Sequence, residues 1–204
     1  MSGGYMNRNF YSITSTIIIL AVTFFTAPGC AILGLEEEEE DTEESIVPGS
    51  ITEMGGTWKT SCVGGDDGYS ENYLTHSGSE ILMENKLFFD DSSCGDLALT
   101  LSITQNEVSK GSEITLSDGS SGYLYYSKIK SATLKSHMNL VTEWYNSNRY
   151  CGKTNWQTNV AKDVTGTSCF TGSVGNRGNG KYSISGNRLY FDLTGLTGLT
   201  YTKQ

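Results

Sequence analysis

A twofold alternation of apolar and polar side chains runs through most of the chain after residue 55. It constrains the fold more than any other feature. The clearest instance is 97–105, where Leu97, Leu99, Leu101 and Ile103 fall on one face of an extended strand and Ala98, Thr100, Ser102 and Thr104 on the other. Trp58, Thr60 and Cys62 alternate with Lys59 and Ser61 in the same way, ahead of a loop at Gly64–Gly68. Residues 70–76 and 79–89 read as strands joined at Ser77-Gly78, and Ile114 and Leu116 as a short strand before the turn Asp118–Gly122. A longer strand over 123–134 carries Tyr123, Tyr125, Ile129 and Leu134. Residues 181–193 read as a hairpin about Gly186-Asn187, and Gly195–Thr200 is a small tandem repeat.

One stretch has the helical period instead. Met138, Val141 and Tyr145 share a spacing, as do Leu140 and Trp144, which predicts a helix over 137–148 capped by Ser136. With 24 glycines and only 2 prolines, the composition suits a turn-rich β domain. The expected fold class is all-β, an antiparallel barrel of about eight strands with one short helix, because closure removes the edges an open sheet would expose. The Leu97–Ile103 face is bulky enough to fill a small barrel.

The first 29 residues read as an address. Arg8 is the only charged residue before Glu36, an apolar run follows over 11–25, and small residues lead to Ala27-Pro28-Gly29-Cys30. That tetrad resembles the lipobox of bacterial lipoproteins. The resemblance implies cleavage before Cys30 and lipidation of its thiol, so that the membrane is a partner through an N-terminal lipid anchor. The competing reading is one uncleaved membrane helix over Ile13–Leu35. Ala31 after the cysteine resembles the sorting pattern of outer-membrane lipoproteins, and the expected place is the outer membrane or cell surface.

Residues 30–54 form a linker whose acidic tract, Glu36 to Glu44, holds most of the excess negative charge. The chain carries 14 Lys+Arg against 23 Asp+Glu, and this balance excludes a nucleic-acid partner. The folded domain is expected over 55–204.

Five cysteines leave one over in an exported protein, and assigning Cys30 to lipid leaves Cys62, Cys94, Cys151 and Cys169. Four cysteines allow three connectivities. Pairing Cys62 with Cys94 and Cys151 with Cys169 is preferred because each bond closes a local loop. No C-x-x-C occurs, which argues against zinc and against a thioredoxin-like site.

Gly56-Thr57-Trp58 resembles the G-x-W signature of lipocalins. That resemblance implies a Trp58 that closes the barrel base beneath a late-strand cation, for which Arg188 is the candidate, with Lys181 behind it. The ordered set Gly56–Cys62, Asp91–Cys94, Tyr150–Trp156, Lys162–Gly166 and Gly186–Phe191 is similar to a group of poorly characterised lipocalin-like bacterial lipoproteins. The likeness spans about 55–193. The chain departs from lipocalins in lacking a T-D-Y-like motif and in placing strands after its helix.

Little catalytic chemistry is written in the sequence. His76 and His137 read as surface or capping residues, and there is no G-x-S-x-G, H-E-x-x-H or Walker A motif. Asp66, Asp67, Asp90, Asp91 and Asp96 sit in Gly/Ser-rich loops without EF-hand spacing and read as solvated. No enzyme activity, metal or cofactor is expected. The aromatic residues carry the functional expectation: Tyr123, Tyr125, Trp144, Tyr145 and Trp156 could line a concave site for a small hydrophobic ligand. The alternative is a solid barrel whose polar loops at 63–69, 90–96 and 171–180 meet a protein or glycan partner in adhesion or inhibition.

Overall fold

The computed structural model describes residues 51–65, 68–89, 92–193 and 198–204. The segment expected to be a signal, Cys30, the acidic tract, Asp66, Asp67, Asp90, Asp91 and the start of the Gly195–Thr200 repeat lie outside the described residues.

The strands are β1 (Gly56–Lys59), β2 (Val63–Gly65), β3 (Gly68–Ser77), β4 (Glu80–Phe88), β5 (Leu97–Thr115), β6 (Ser121–Ser136), β7 (Lys162–Asp163), β8 (Arg177–Ser185), β9 (Arg188–Leu193) and β10 (Leu199–Lys203). Helix α1 (Asn139–Ser147) follows β6, and single 3-10 turns occupy Thr52–Met54 and Tyr150–Gly152. All pairings are antiparallel, and β1, β3, β4, β5, β6, β8, β9 and β10 follow one another around an eight-strand ring closed by the β1–β3 and β1–β10 pairs.

The inner face can be read from the register. Trp58, Leu74, Met83, Ile103 and Ala132 stand opposite one another on successive strands. One step along lies the row His76, Ile81, Gln105 and Ile129. On the other side lies Asn72, Asn85, Leu101 and Leu134. Trp58, Leu74 and Ile81 are buried with Tyr125, Tyr182, Leu189, Phe191 and Tyr201 in one core cluster. The second cluster joins Leu99, Ala132 and Leu134 to Val141 and Tyr145 of α1 and to Trp156, Val164 and Phe170. The outer face is polar, for example Lys59, Tyr73, Glu84, Ser102 and Thr133 in adjoining positions.

Several expectations change in the folded chain. The strand at 97–105 runs on to Thr115, which takes in Ile114 of the expected short strand and leaves Leu116 just beyond its end. Irregular register near Thr104/Gln105, Asn106/Ser109 and Lys110/Glu113 lets a polar stretch without alternation stay paired to β6. The first strand breaks at Thr60–Cys62, where the Thr60 hydroxyl accepts a hydrogen bond from the Asn72 backbone N–H at 2.9 Å. Beyond the break the expected loop pairs with β3 as β2.

Ser136 does not cap the helix. Met138 holds the cap position in extended backbone without a side-chain cap, and the Ser136 hydroxyl bonds to that of Thr142. The loop expected over 171–180 ends at Arg177, where β8 begins. Between the reach of β8 and β7 on β6, the loop backbone takes over the bonding. Ile129 N–H donates to the Asn176 carbonyl at 3.0 Å, Gly175 N–H to the Ile129 carbonyl at 2.8 Å, and Val164 N–H to the Ala132 carbonyl at 2.9 Å.

Both expected disulfides form, Cys62–Cys94 and Cys151–Cys169. The first ties the break between β1 and β2 to the segment entering β5. The second ties the end of the helical segment to the loop before β8.

Candidate functional site: the interior of the ring

One end of the ring is plugged. The turn Thr52–Met54 buries Ile51 and Met54 completely, and the indole N–H of Trp58 donates to the Met54 carbonyl at 2.8 Å. Glu53 anchors this turn to the wall, its Oε1 accepting from Lys110 Nζ at 2.7 Å and from the Tyr182 hydroxyl at 2.8 Å. Burial opposes ionisation of Glu53, but these two bonds hold its carboxyl below the ordinary value. Burial, reinforced by Glu53, raises the Tyr182 phenol, which stays a donor. Lys110 lies over the Tyr123 ring at 3.4 Å.

The cation over Trp58 is Lys203, 5.2 Å from the ring, and not Arg188. Register explains the exchange. Lys203 pairs directly with Trp58, whereas Arg188 pairs with Thr202, one residue along and therefore on the other face, where it is exposed.

Away from the plug the inner wall is apolar and incompletely covered. Met83, Leu101 and Ile103 face inward yet are only half-buried, as are Leu87 and Ile129. Leu199, opposite the inward Phe191, is 37% exposed. The expectation that the Leu97–Ile103 face would fill the ring is therefore not met at Leu101 and Ile103.

Between wall and plug lies a polar floor. His76, Gln105, Ser127 and Tyr125 are each 4% exposed or less, yet both imidazole nitrogens, Gln105 Oε1, Ser127 Oγ and the Tyr125 hydroxyl have no hydrogen-bond partner among the described residues. Two glycines on β8 shape this floor. A Cβ on Gly178 would lie 3.2 Å from Ser127 Oγ and 3.5 Å from Gln105 Nε2, so the bare glycine lets both side chains pack against β8. A Cβ on Gly180 would come within 2.5 Å of the Tyr125 ring, which stacks on Phe191 at 4.7 Å. Burial pushes the Tyr125 phenol well above its ordinary value, so it is neutral. Burial also lowers the His76 imidazole, against a smaller opposing effect of Glu53.

The five aromatic residues expected to form one site are separated. Tyr123 and Tyr125 are on the inner face beside the plug. Trp144, Tyr145 and Trp156 belong to the second cluster, where Tyr145 stacks on Tyr150 at 4.3 Å and meets Trp156 edge-on at 5.0 Å. They pack the helix end. Asn146 fastens that packing with two bonds to the Trp156 backbone, at 2.7 and 3.0 Å. Burial pushes the Tyr150 phenol up to about 12. Next to this cluster an open pocket of about 350 Å³ is lined by Asn148, Arg149, Tyr150 and the Cys151–Cys169 bridge, among others.

The histidines do not sit as expected on the surface or at a cap. His76 is buried in the floor. His137 is half-buried, with Nε2 2.9 Å from Thr100 Oγ1 and Nδ1 3.0 Å from Asn159 Oδ1. Gln105 and Ser127 escaped the sequence reading. A signal for Gln105 existed: it is the next odd position after Leu97, Leu99, Leu101 and Ile103, a polar side chain where the alternation calls for an inward apolar one. Ser127 had no such signal, because its burial depends on β8.

Among the described residues no group of three His, Cys, Asp or Glu side chains could hold a metal ion, and no helix is long and apolar enough to cross a membrane. Compared with family models and with curated proteins, the chain matches none.

Proposed function

We propose that this protein is a lipid-anchored envelope lipoprotein whose lipocalin-like ring binds a small hydrophobic ligand. One observation carries this reading. The inward residues Met83, Leu101 and Ile103 remain half-buried inside a closed ring, where a solid core would cover them. The plug beneath Trp58 gives the space a floor, and the anchor on Cys30 would hold it at a membrane. A second reading, interaction through the loops, draws support from Val160 and Val174, exposed by 50% and 69%.

Native mass spectrometry of the chain purified from a periplasmic host tests the first reading. A reproducible extra mass, lost on organic extraction and absent after Ile103→Lys, is expected. A clean unliganded mass that also fails to shift with added alkyl probes would refute it and direct the search to partners of the loops.

A further inference from the structure

From the floor geometry we infer that the ring takes an amphiphile with an uncharged, hydrogen-bonding head group, a hydroxyl or an amide, held by Gln105 and Ser127 above Gly178. This rests on the small-ligand reading and names the chemistry of its occupant.

The argument begins with satisfaction. Gln105 Oε1 and Ser127 Oγ are buried without partners among the described residues, and a buried polar group left without its bond is costly. Gln105 Oε1 can only accept, and the Ser127 hydroxyl can donate or accept. Together they match a group that also does both, as an alcohol or an amide does. The bare backbone of Gly178 lets both side chains come close, Ser127 Oγ and Gln105 Nε2 lying 3.2 and 3.5 Å from where a Cβ would stand.

Charge then narrows the class. The cross-strand rows that contain and adjoin Gln105 place His76, Ile81, Ile129, Met83 and Ile103 around it, with no carboxylate and no primary amine. The inner lysines are engaged elsewhere: Lys110 with Glu53 and the Tyr123 ring, Lys203 with the Trp58 ring. Burial keeps His76 and Tyr125 neutral. Glu53, whose charge reaches His76, is already bonded to Lys110 and Tyr182, so a carboxylate or ammonium head would lose its hydration with no unpaired counter-ion to meet it, a cost far above that of a neutral head.

The test uses the full chain in lipid nanodiscs at pH 7.5, titrated calorimetrically with 1-decanol, decanoate and decylammonium, with empty nanodiscs subtracted. Decanol should bind at least about tenfold tighter than either ion. Gln105→Leu and Ser127→Ala should each weaken decanol about 3–10-fold, the loss of one hydrogen bond. Whichever variant stays folded by circular dichroism serves as the readout. If decanoate or decylammonium matches decanol, the neutral floor is overturned while the ligand cup stands. If decanol binds but neither folded variant weakens it, the assignment to Gln105 and Ser127 fails. If none of the three probes binds, the cup and its floor fall together.

Discussion

Removing the Trp58 indole separates two contributions that the plug combines. Trp58 is 1% exposed, and its N–H reaches the carbonyl of Met54, a residue with no exposure at all. Trp58→Phe keeps most of the ring volume but leaves that carbonyl without its donor, which should cost about 1–3 kcal/mol. Trp58→Ala also empties the space between Leu74 and Lys203, and large-to-small changes at buried aromatic sites cost about 3–5 kcal/mol. The two variants should therefore differ by about 2 kcal/mol. Urea unfolding of the oxidised protein, followed by far-UV circular dichroism, gives both numbers from the midpoints if the slope m is unchanged. A Trp58→Ala protein within 1 kcal/mol of wild type would refute the view that this residue closes the ring. Equal losses in the two variants would show that the hydrogen bond carries the plug and that the cavity argument is wrong.

Two further outcomes follow from the disulfides and from His76. Cys62–Cys94 and Cys151–Cys169 span sequence separations of 32 and 18, and loop-closure entropy alone assigns each about 3–4 kcal/mol, slightly more to the longer loop. Cys151 and Cys169 are themselves buried in the second core cluster, so the paired Ala variant at 151 and 169 should cost more than that at 62 and 94; the reverse order in denaturant unfolding would mean that loop length alone decides. His76 is held below its ordinary value of 6.5 by burial, so the unfolded chain takes up the proton first as pH falls. Stability from this residue is complete above about pH 6.5 and is lost as pH drops toward the folded value. His76→Asn should flatten the pH dependence of unfolding there by up to one proton, leaving a residual slope from His137, which burial also lowers. An unchanged slope would place His76 outside the linkage.

Where one face of a strand is apolar and the other polar, the pattern located the element. β4, β6 and the β8–β9 hairpin lie within a few residues of their expected spans, and both cysteine pairs close as their spacing favours. The reading failed where bonding no longer follows alternation. The stretch of β5 between Gln105 and Ile114 is polar and irregular in register, so nothing periodic marked it as strand. β7 is two residues long and exists only because β8 stops short of that part of β6. The candidate site shows the same division. Composition and spacing singled out the large aromatic side chains, but which of them share a space depends on strand register. Tyr123 and Tyr125 therefore parted from Trp144, Tyr145 and Trp156.

Local chemistry was enough to establish an all-β antiparallel chain with one short helix, because side-chain alternation and turn residues act over a few neighbours. It also supplied the cysteine bookkeeping, while the weight placed on Trp58 came from the resemblance of Gly56-Thr57-Trp58 to the lipocalin signature. Long-range pairing decided the rest. Closure of β1 against both β3 and β10 created an inside, and a one-residue difference in register put Lys203 over Trp58 and turned Arg188 outward. The meeting of β5, β6 and β8 buried Gln105 and Ser127 beside Gly178. Such placements depend on residues dozens of positions apart, and a pattern read along a single strand carries no information about its neighbour across the sheet.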